Sequence, residues 1–324
     1  MGENGEKGSR PPVVIVTGPT ASGKTAIGIR LARRFEGEIL NADSMQVYRH
    51  LDIGTAKPTL AQRAEVPHHL IDMVAPDVQY NAGLYSRDAR RAASEVFRRG
   101  RIVFLTGGTG LYIRAFLEGL IEGGGRDPDR RRALEEEHRR AVAAGEPQRL
   151  HRRLASLDPE SGARIHPNDL VRIIRALELI EATGRPVSEL RRSHRFRGHR
   201  YRTLRLAIDP GPERLKARID DRCVQMVEAG LLQEVRSLRE RGYGPELPCM
   251  RAIGYRHMQP VIDGADTMAN VLAEMQKDTR HFARRQRTWL HSLPDAVWMH
   301  PEDEDGLQKT VEDFLRLSSP PTCS

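Results

Sequence analysis

The 324-residue sequence is poor in cysteine and contains no long apolar run and no internal repeat. Its three cysteines, Cys223, Cys249 and Cys323, are widely spaced and odd in number, which argues against a disulfide framework and against a cysteine zinc site. We therefore expect a reducing, cytoplasmic environment. No stretch reaches the roughly 18 apolar residues that a membrane-spanning helix needs, and residues 1–12 have no apolar signal core. We expect no membrane contact, and a disordered tail over residues 1–12.

A metal-binding cluster is also missing. His68 and His69 are adjacent, so their side chains point to opposite sides of an extended chain, and no second ligand pair has a suitable spacing. Positive charge, in contrast, is plentiful: the formal net charge is +8. Residues 126–200 alone hold 18 Arg and no Lys against 12 acidic residues. This distribution indicates a polyanionic partner, with a solvated Arg-rich helical surface as the alternative.

The most distinctive stretch is GPTASGKT, which follows the apolar run at residues 13–16 and leads into a helical pattern. Strand, loop and helix in that order are the context of a phosphate-binding loop, because glycines let backbone N–H groups turn onto phosphate oxygens. Lys24 would reach the outer phosphate, and the Thr25 hydroxyl would bind a magnesium ion carried by it. A glycine-bearing turn with a chance lysine is the alternative. The predicted diphosphate- or nucleotide-binding residues are Gly18, Pro19, Thr20, Ala21, Ser22, Gly23, Lys24 and Thr25.

Further short strands predict an α/β fold with a P-loop-type parallel sheet. Residues 38–42 form a strand that delivers Asp43 and Ser44 to the ligand edge of such a sheet, although either residue could instead cap a helix. Residues 102–106 form another strand and end in a second glycine-rich turn. Lys57, in an ordered loop, is a further phosphate candidate.

A composition change at residues 119–125 marks the start of charged helices, predicted at 128–144, 148–156 and 168–183. A return strand at 204–208 then indicates that the sheet resumes. We therefore predict an α/β core over residues 13–120 plus 201–300, a helical insertion over 121–200 and a tail over 301–324. The long helix from residue 268 to 293 is expected to bury Leu272, Met275, Phe282 and Trp289 in the core.

Several blocks occur in one order from about residue 13 to 289: GPTASGKT, ADSMQVY, DIGTAKP, VPHHLID, LTGGTGLY, IHPNDLVRIIRALE, MRAIGYR and TRHFARRQRTW. Together they closely resemble the bacterial tRNA dimethylallyltransferase family, also called tRNA isopentenyltransferases. The resemblance implies transfer of a dimethylallyl group from dimethylallyl diphosphate to N6 of adenosine 37 in tRNAs that read codons beginning with U. It also implies a P-loop-type core, magnesium as the metal and the tRNA anticodon stem-loop as partner.

The same resemblance assigns roles to individual residues. Asp43 would orient and deprotonate the attacking amine, Thr25 would hold magnesium, and Arg222 would bind the diphosphate, with Arg218 one helical turn earlier as the fallback. The residues carried over as tRNA contacts are Asp43, Ser44, Met45, Gln46, Thr109, Arg131, Val171, Arg172, Ile173, Ile174, Arg175, Arg251, Ala252, Ile253, Gly254, Tyr255 and Arg256.

Three other functions compete with this interpretation. An adenylate isopentenyltransferase would act on free AMP, but it needs no extended basic surface. A P-loop kinase or NTPase fits the loop alone, yet no apolar strand ends in a clear magnesium-binding Asp for a separate nucleotide site. An RNA-binding protein without catalytic activity leaves the phosphate loop unexplained. We expect a monomer.

Overall fold

The computed structural model describes residues 10–120, 127–194 and 200–317. The predicted tail over residues 1–12 therefore lies mostly outside the described residues, and Pro12 already belongs to the first strand. In chain order the elements are β1 (Pro12–Thr17), α1 (Lys24–Arg34), β2 (Glu38–Asn41), α2 (Leu60–Glu65), β3 (His68–His69), α3 (Ala82–Arg98), β4 (Val103–Gly107), α4 (Gly110–Glu118), α5 (Pro128–Ala143), α6 (Arg149–Leu157), α7 (Pro159–Arg164), α8 (Leu170–Thr183), α9 (Val187–His194), β5 (Arg202–Ile208), α10 (Pro212–Glu228), α11 (Leu231–Glu240), a 3-10 turn (Pro248–Arg251), α12 (Tyr255–Ile262), α13 (Met268–His291), β6 (Ala296–Met299) and α14 (Glu304–Arg316).

The six strands form one parallel sheet in the order β3-β2-β4-β1-β5-β6. Successive strand residues point to opposite faces, and β1 is buried on both: Val13 and Ile15 belong to one apolar core, Val14 and Val16 to the other. The predicted α/β fold with a parallel sheet is confirmed. In this register Thr17 pairs with Gly107 of β4, so the carboxyl ends of β1, β4 and β2 lie at one edge of the sheet. Ligands of open parallel sheets bind at that edge.

Residues 301–324 are not simply a tail, in contrast to the prediction. Helix α14 begins at its N-cap Asp303 and packs Leu307 and Val311, both buried, into the same core as Val14. The four-residue strand β6 before it pairs with β5. The sequence gives only a weak apolar pattern for α14, because only two of its residues are buried and an acidic turn precedes it. Residues 318–324 lie outside the described residues.

The chain divides into two compact units, residues 1–117 with 199–324 and residues 118–198. From residue 127 to 194 the second unit consists of helices α5–α9 around a core of its own, which includes Leu150, Leu154, Ile173 and Leu177. Helix α8 is capped at its start by Asp169, whose side chain accepts from the backbone N–H of Arg172, and at its end by Gly184. In the described part of the chain, no helix combines the length and apolar character needed to cross a membrane.

Candidate active site

The loop between β1 and α1 has the backbone geometry of an anion cradle. Gly23 has a φ of 93°, in the left-handed region that favours glycine. A Cβ on Gly18 would lie 2.5 Å from the carbonyl oxygen of Ile208, so a larger residue would displace β5. Helix α1 begins at Lys24, and its free N–H groups and positive dipole end face the loop. The loop can therefore hold phosphate oxygens through its backbone.

Lys24, Arg222 of α10 and Asp43 form a charged group beside the loop. Burial, and secondly the nearby Arg222 guanidinium, lower the pKa of Lys24 to about 8, while Asp43 opposes the shift. Burial also lowers the pKa of Arg222, again opposed by Asp43. Arg222 makes no hydrogen bond or ion pair with any residue that the structure describes. Two cations held close together with little compensation favour an anionic ligand.

This pKa leads to a prediction for anion binding. We expect the affinity for a diphosphate ester to fall by up to tenfold per pH unit above about pH 8, because Lys24 must be protonated to bind the anion. Calorimetry in buffers of different ionisation enthalpy should show proton uptake that increases as the pH rises through about 8. Lys24→Met should bind more weakly and lose the uptake; uptake that survives in this variant would assign it to another group.

Asp43 lies two residues beyond the end of β2 and is fixed by its own backbone turn. Its Oδ1 accepts from the N–H of Met45 at 2.8 Å and from that of Gln46 at 3.4 Å. The second glycine-rich turn packs against the same strand end, since a Cβ on Gly107 would lie 2.3 Å from the carbonyl oxygen of Ala42. Oδ2 accepts no hydrogen bond from the described residues and is therefore free to meet a ligand.

Asp43 and Arg222 lie where two pockets meet. The loop pocket, with a volume of about 70 Å³, includes Lys24, Thr25 and Thr106 in its lining. The side pocket, of about 370 Å³, is bounded by the 3-10 turn, α10, α12 and α13. The residues that line both pockets are Thr20, Asp43, Thr55, Arg222, Phe282 and Gln286. A ligand bound in the loop pocket therefore contacts the same Asp43 and Arg222 as a ligand in the side pocket.

Helix α13 contributes residues that the sequence analysis misassigned or missed. Phe282 was expected in the core, but it is 39% exposed and lines both pockets. Gln286, one turn later, accepts from the Thr20 N–H at 2.8 Å and donates to the carbonyl oxygen of Gly108 at 3.1 Å. It thereby ties the two glycine-rich turns together. A polar Gln on the buried stripe of a helix was the available sequence signal.

Some of the predicted tRNA contacts line the side pocket, and others have buried side chains. The members that line it are Asp43, Ser44, Met45, Thr109, Arg251, Ala252, Ile253, Tyr255 and Arg256. Tyr255 is nonetheless buried, and its hydroxyl donates to Glu234 at 2.6 Å. Gln46 is also buried and donates to the carbonyl oxygens of Thr55 and Ala56. Gly254 is buried at the N-cap of α12.

The predicted contacts of the second unit also divide by burial. Ile173 and Ile174 are each 1% exposed in the core of that unit, because they lie on the inner stripe of α8, so their side chains present no surface to RNA. Val171 is exposed. Arg131 and Arg175 both approach the buried Glu178, at 3.6 Å and 3.1 Å. Arg172 is exposed and pairs with Asp169 across one turn.

Lys57 does not serve as a phosphate ligand here. Its side chain is 2% exposed, and its Nζ lies 2.5 Å from Asp52 and 2.6 Å from Asp72. It also donates to the carbonyl oxygen of Tyr48 at 2.9 Å. Two carboxylates therefore neutralise Lys57, and its role is to fix the surrounding loop.

The residues of the loop pocket fit a magnesium ion that arrives with a ligand. Thr25 lines the pocket, and its hydroxyl makes no hydrogen bond to the described residues. No group of three or more His, Cys, Asp or Glu side chains among those residues could form a cage of its own. Magnesium commonly binds through one or two protein groups together with substrate phosphates. A hydroxyl beside an anion cradle is a donor set of that kind.

A parallel α/β sheet, a glycine-rich anion loop at its edge and an adjoining pocket define a P-loop-type enzyme core. The comparisons with known proteins give the family. A model described as IPP transferase matches residues 46–293, and one described as isopentenyl transferase matches residues 11–69. The chain belongs to the IPP transferase family.

The similarity to individual relatives covers nearly the whole chain. A tRNA dimethylallyltransferase of Syntrophobacter fumaroxidans is 46% identical over 308 residues, which cover 95% of this chain and 89% of the relative. The crystal structure of the full-length tRNA isopentenylpyrophosphate transferase of Bacillus halodurans has a TM-score of 0.69 and 34% identity, covering 95% and 98% of the two chains. A eukaryotic dimethylallyltransferase acting on tRNA has a TM-score of 0.81 and 27% identity, covering 96% of this chain and 81% of its own.

Proposed function

We propose that this enzyme transfers the dimethylallyl group of dimethylallyl diphosphate to N6 of adenosine 37 in tRNAs that read codons beginning with U, and releases diphosphate. The observation that carries the proposal is the shared boundary of the two pockets. Asp43 and Arg222 line both an anion cradle and a larger pocket, so a diphosphate in one lies beside an acceptor in the other. Membership of the IPP transferase family and the similarity to tRNA dimethylallyltransferases support the same reaction.

The chemistry explains why such a boundary is useful. The exocyclic amine of adenine is a weak nucleophile because its lone pair is delocalised into the ring, so the donor must supply most of the driving force. Carbon C1 of an allylic diphosphate gains cationic character as the C–O bond breaks and diphosphate leaves. The loop N–H groups, Lys24 and Arg222 would stabilise the departing charge. A magnesium ion held by Thr25 and the diphosphate would add further neutralisation of that charge.

On the acceptor side, Asp43 receives the proton that N6 loses when its bond to C1 forms. Its carboxylate is already oriented through Oδ1, which leaves Oδ2 to face the amine. Adenosine 37 must turn out of the anticodon loop to enter the side pocket, as bases do in other base-modifying enzymes. Exposed Arg251 and Arg256 lie at that pocket and would bind the RNA backbone nearby.

The test is transfer of label from dimethylallyl diphosphate labelled in the prenyl group to an unmodified anticodon stem-loop. Label should enter the stem-loop, should be absent when adenosine 37 is replaced by guanosine, and should enter AMP far more slowly. Preferential labelling of AMP would instead identify an adenylate isopentenyltransferase. Hydrolysis or phosphoryl transfer from ATP without any prenyl transfer would identify a P-loop kinase or NTPase.

We further propose that the enzyme is a cytoplasmic monomer. Light scattering of the purified chain tests the oligomeric state.

The exposed Arg172 and the half-buried Arg175 of α8 lead to a prediction about RNA affinity. Replacing Arg172 and Arg175 together by Ser should weaken stem-loop binding by several-fold to tenfold and reduce its salt dependence, because two phosphate contacts are lost. The Michaelis constant for dimethylallyl diphosphate should stay within about twofold. The control replaces Arg139 and Arg140 of α5 together by Ser, which removes the same charge from two exposed, ion-paired positions outside the predicted contact set. Equal effects in the control would indicate general charge attraction only.

A further inference from the structure

The chain segment over residues 52–58, here called the wall segment, borders both pockets. Thr55 lines both of them, Gly54 lines the side pocket and Pro58 lines the loop pocket. The segment has little regular structure of its own, because residues 51–59 contain neither helix nor strand. Turns such as the hydrogen bond from the Lys57 N–H to the carbonyl oxygen of Asp52 shape the segment locally, and contacts with the surrounding elements fix its position.

Glu234 of α11 is the principal contact at the start of this segment. Its Oε2 accepts from the backbone N–H of Asp52 at 3.1 Å and from that of Ile53 at 2.7 Å. Its Oε1 accepts from the N–H of Gly54 at 3.3 Å. Three consecutive N–H groups converging on one carboxylate form the kind of nest that binds anions, here filled by a side chain of the same protein.

The same carboxylate also holds the opposite wall of the side pocket. The Tyr255 hydroxyl donates to Glu234 Oε1 at 2.6 Å. The Tyr255 ring lies against Gly54, where an added Cβ would come within 2.5 Å of it. Burial, followed by the charge of Glu234, raises the pKa of Tyr255 well above its ordinary value, so the hydroxyl remains a donor. Glu234 itself lines neither pocket.

We infer that Glu234 is a positioning residue, which sets the shape of the acceptor pocket by joining the wall segment to Tyr255 at the start of α12. The inference rests on the proposed function in one respect, namely that this pocket receives the base. The far end of the wall segment has further contacts that do not involve Glu234: Gln46 binds the carbonyl oxygens of Thr55 and Ala56, and the buried Lys57 pairs with Asp72 as well as with Asp52 at the near end. Loss of Glu234 should therefore loosen the residues near Gly54 and spare the phosphate loop.

The test is Glu234→Gln, which keeps the size of the side chain but replaces an accepting oxygen by a donating NH₂ group. We expect stem-loop affinity to fall about tenfold, because small displacements of positioning groups have effects of this order or larger. Dimethylallyl diphosphate affinity should stay within twofold. Hydrogen exchange should accelerate in peptides covering residues 52–54 and remain unchanged in peptides covering residues 18–25. Glu240→Gln, an exposed position on the same helix, is the control that should change neither.

A second variant keeps the test decisive if Glu234→Gln does not fold. Tyr255→Phe removes one of the four hydrogen bonds and keeps the ring, so it should shift the same measurements in the same direction by less. Combined with Glu234→Gln it should add little, because both variants break one connection. Unchanged exchange at residues 52–54, or equal loosening of the phosphate loop, would overturn the inference. The exchange measurement needs no substrate, whereas a wild-type enzyme that transfers no prenyl label would overturn only the proposed function.

Discussion

Asp43→Asn is expected to lower the single-turnover rate of prenyl transfer about a thousandfold, because general-base catalysis commonly contributes between two and four orders of magnitude. Asn retains the side-chain oxygen that accepts from the N–H groups of Met45 and Gln46, so the turn after β2 should keep its shape. What it loses is the negative charge and the ability to take a proton from N6. Stem-loop binding should therefore stay within a few-fold of wild type.

A comparison of Asp43→Asn with Asp43→Ala distinguishes the loss of the base from the loss of the local turn. Asp43→Ala removes both the base and the cap of the turn, so it should also lose stability, whereas Asp43→Asn should not. Asp77→Asn, at an exposed aspartate of the same unit, is the control and should leave transfer unchanged. Rapid-quench measurement with saturating labelled donor and stem-loop isolates the chemical step. A near-normal rate in Asp43→Asn would remove Asp43 from the role of base.

The anion loop and Asp43 were accessible from sequence because their surroundings are local. The loop is bounded by its own strand and helix, and Asp43 lies two residues beyond a strand whose neighbours in a parallel sheet follow from connection rules. Once β1, β2 and β4 are parallel neighbours, their ends must share one edge. The IPP transferase family could likewise be recognised from ordered short blocks.

Other features depend on partners far away in the chain. Lys57 resembled a phosphate ligand until Asp72 and Asp52 were found to neutralise it. Phe282 fits an apolar helical stripe, yet it borders a pocket, and periodicity cannot distinguish a buried face from one that lines a cavity. Tyr255 lies in a block assigned to RNA but donates to Glu234, which no sequence block contained. In each case the tertiary surroundings decide the role of the side chain.

Arg222 and Arg218 lie on the same face of α10 but differ in burial and in their contacts. Both lie on α10 one turn apart, so sequence spacing places them on the same side. Arg218 is 38% exposed in its side chain, lies 3.8 Å from Glu302, and reaches the carbonyl oxygen of Ser22 only at 3.5 Å. Arg222 lines both pockets and has no partner among the described residues. Arg222, which lies deeper and has only the nearby Asp43 charge to offset it, is the better match to a leaving diphosphate.

We therefore expect Arg222→Gln to lower kcat/KM for dimethylallyl diphosphate by about 10²- to 10³-fold, the usual effect of losing one preorganised group that stabilises developing charge. Arg218→Gln, the matched variant one turn away, should cost only a few-fold, since solvent and Glu302 already compensate its charge. Arg222→Lys should recover part of the loss, because an ammonium restores charge but not the planar fork of donors. Steady-state kinetics with varied donor at saturating stem-loop measure all three. A larger loss in Arg218→Gln than in Arg222→Gln would assign the diphosphate contact to Arg218. The leaving group would then lie nearer Gly23, because Arg218 Nη1 is 3.8 Å from a Cβ built on that residue.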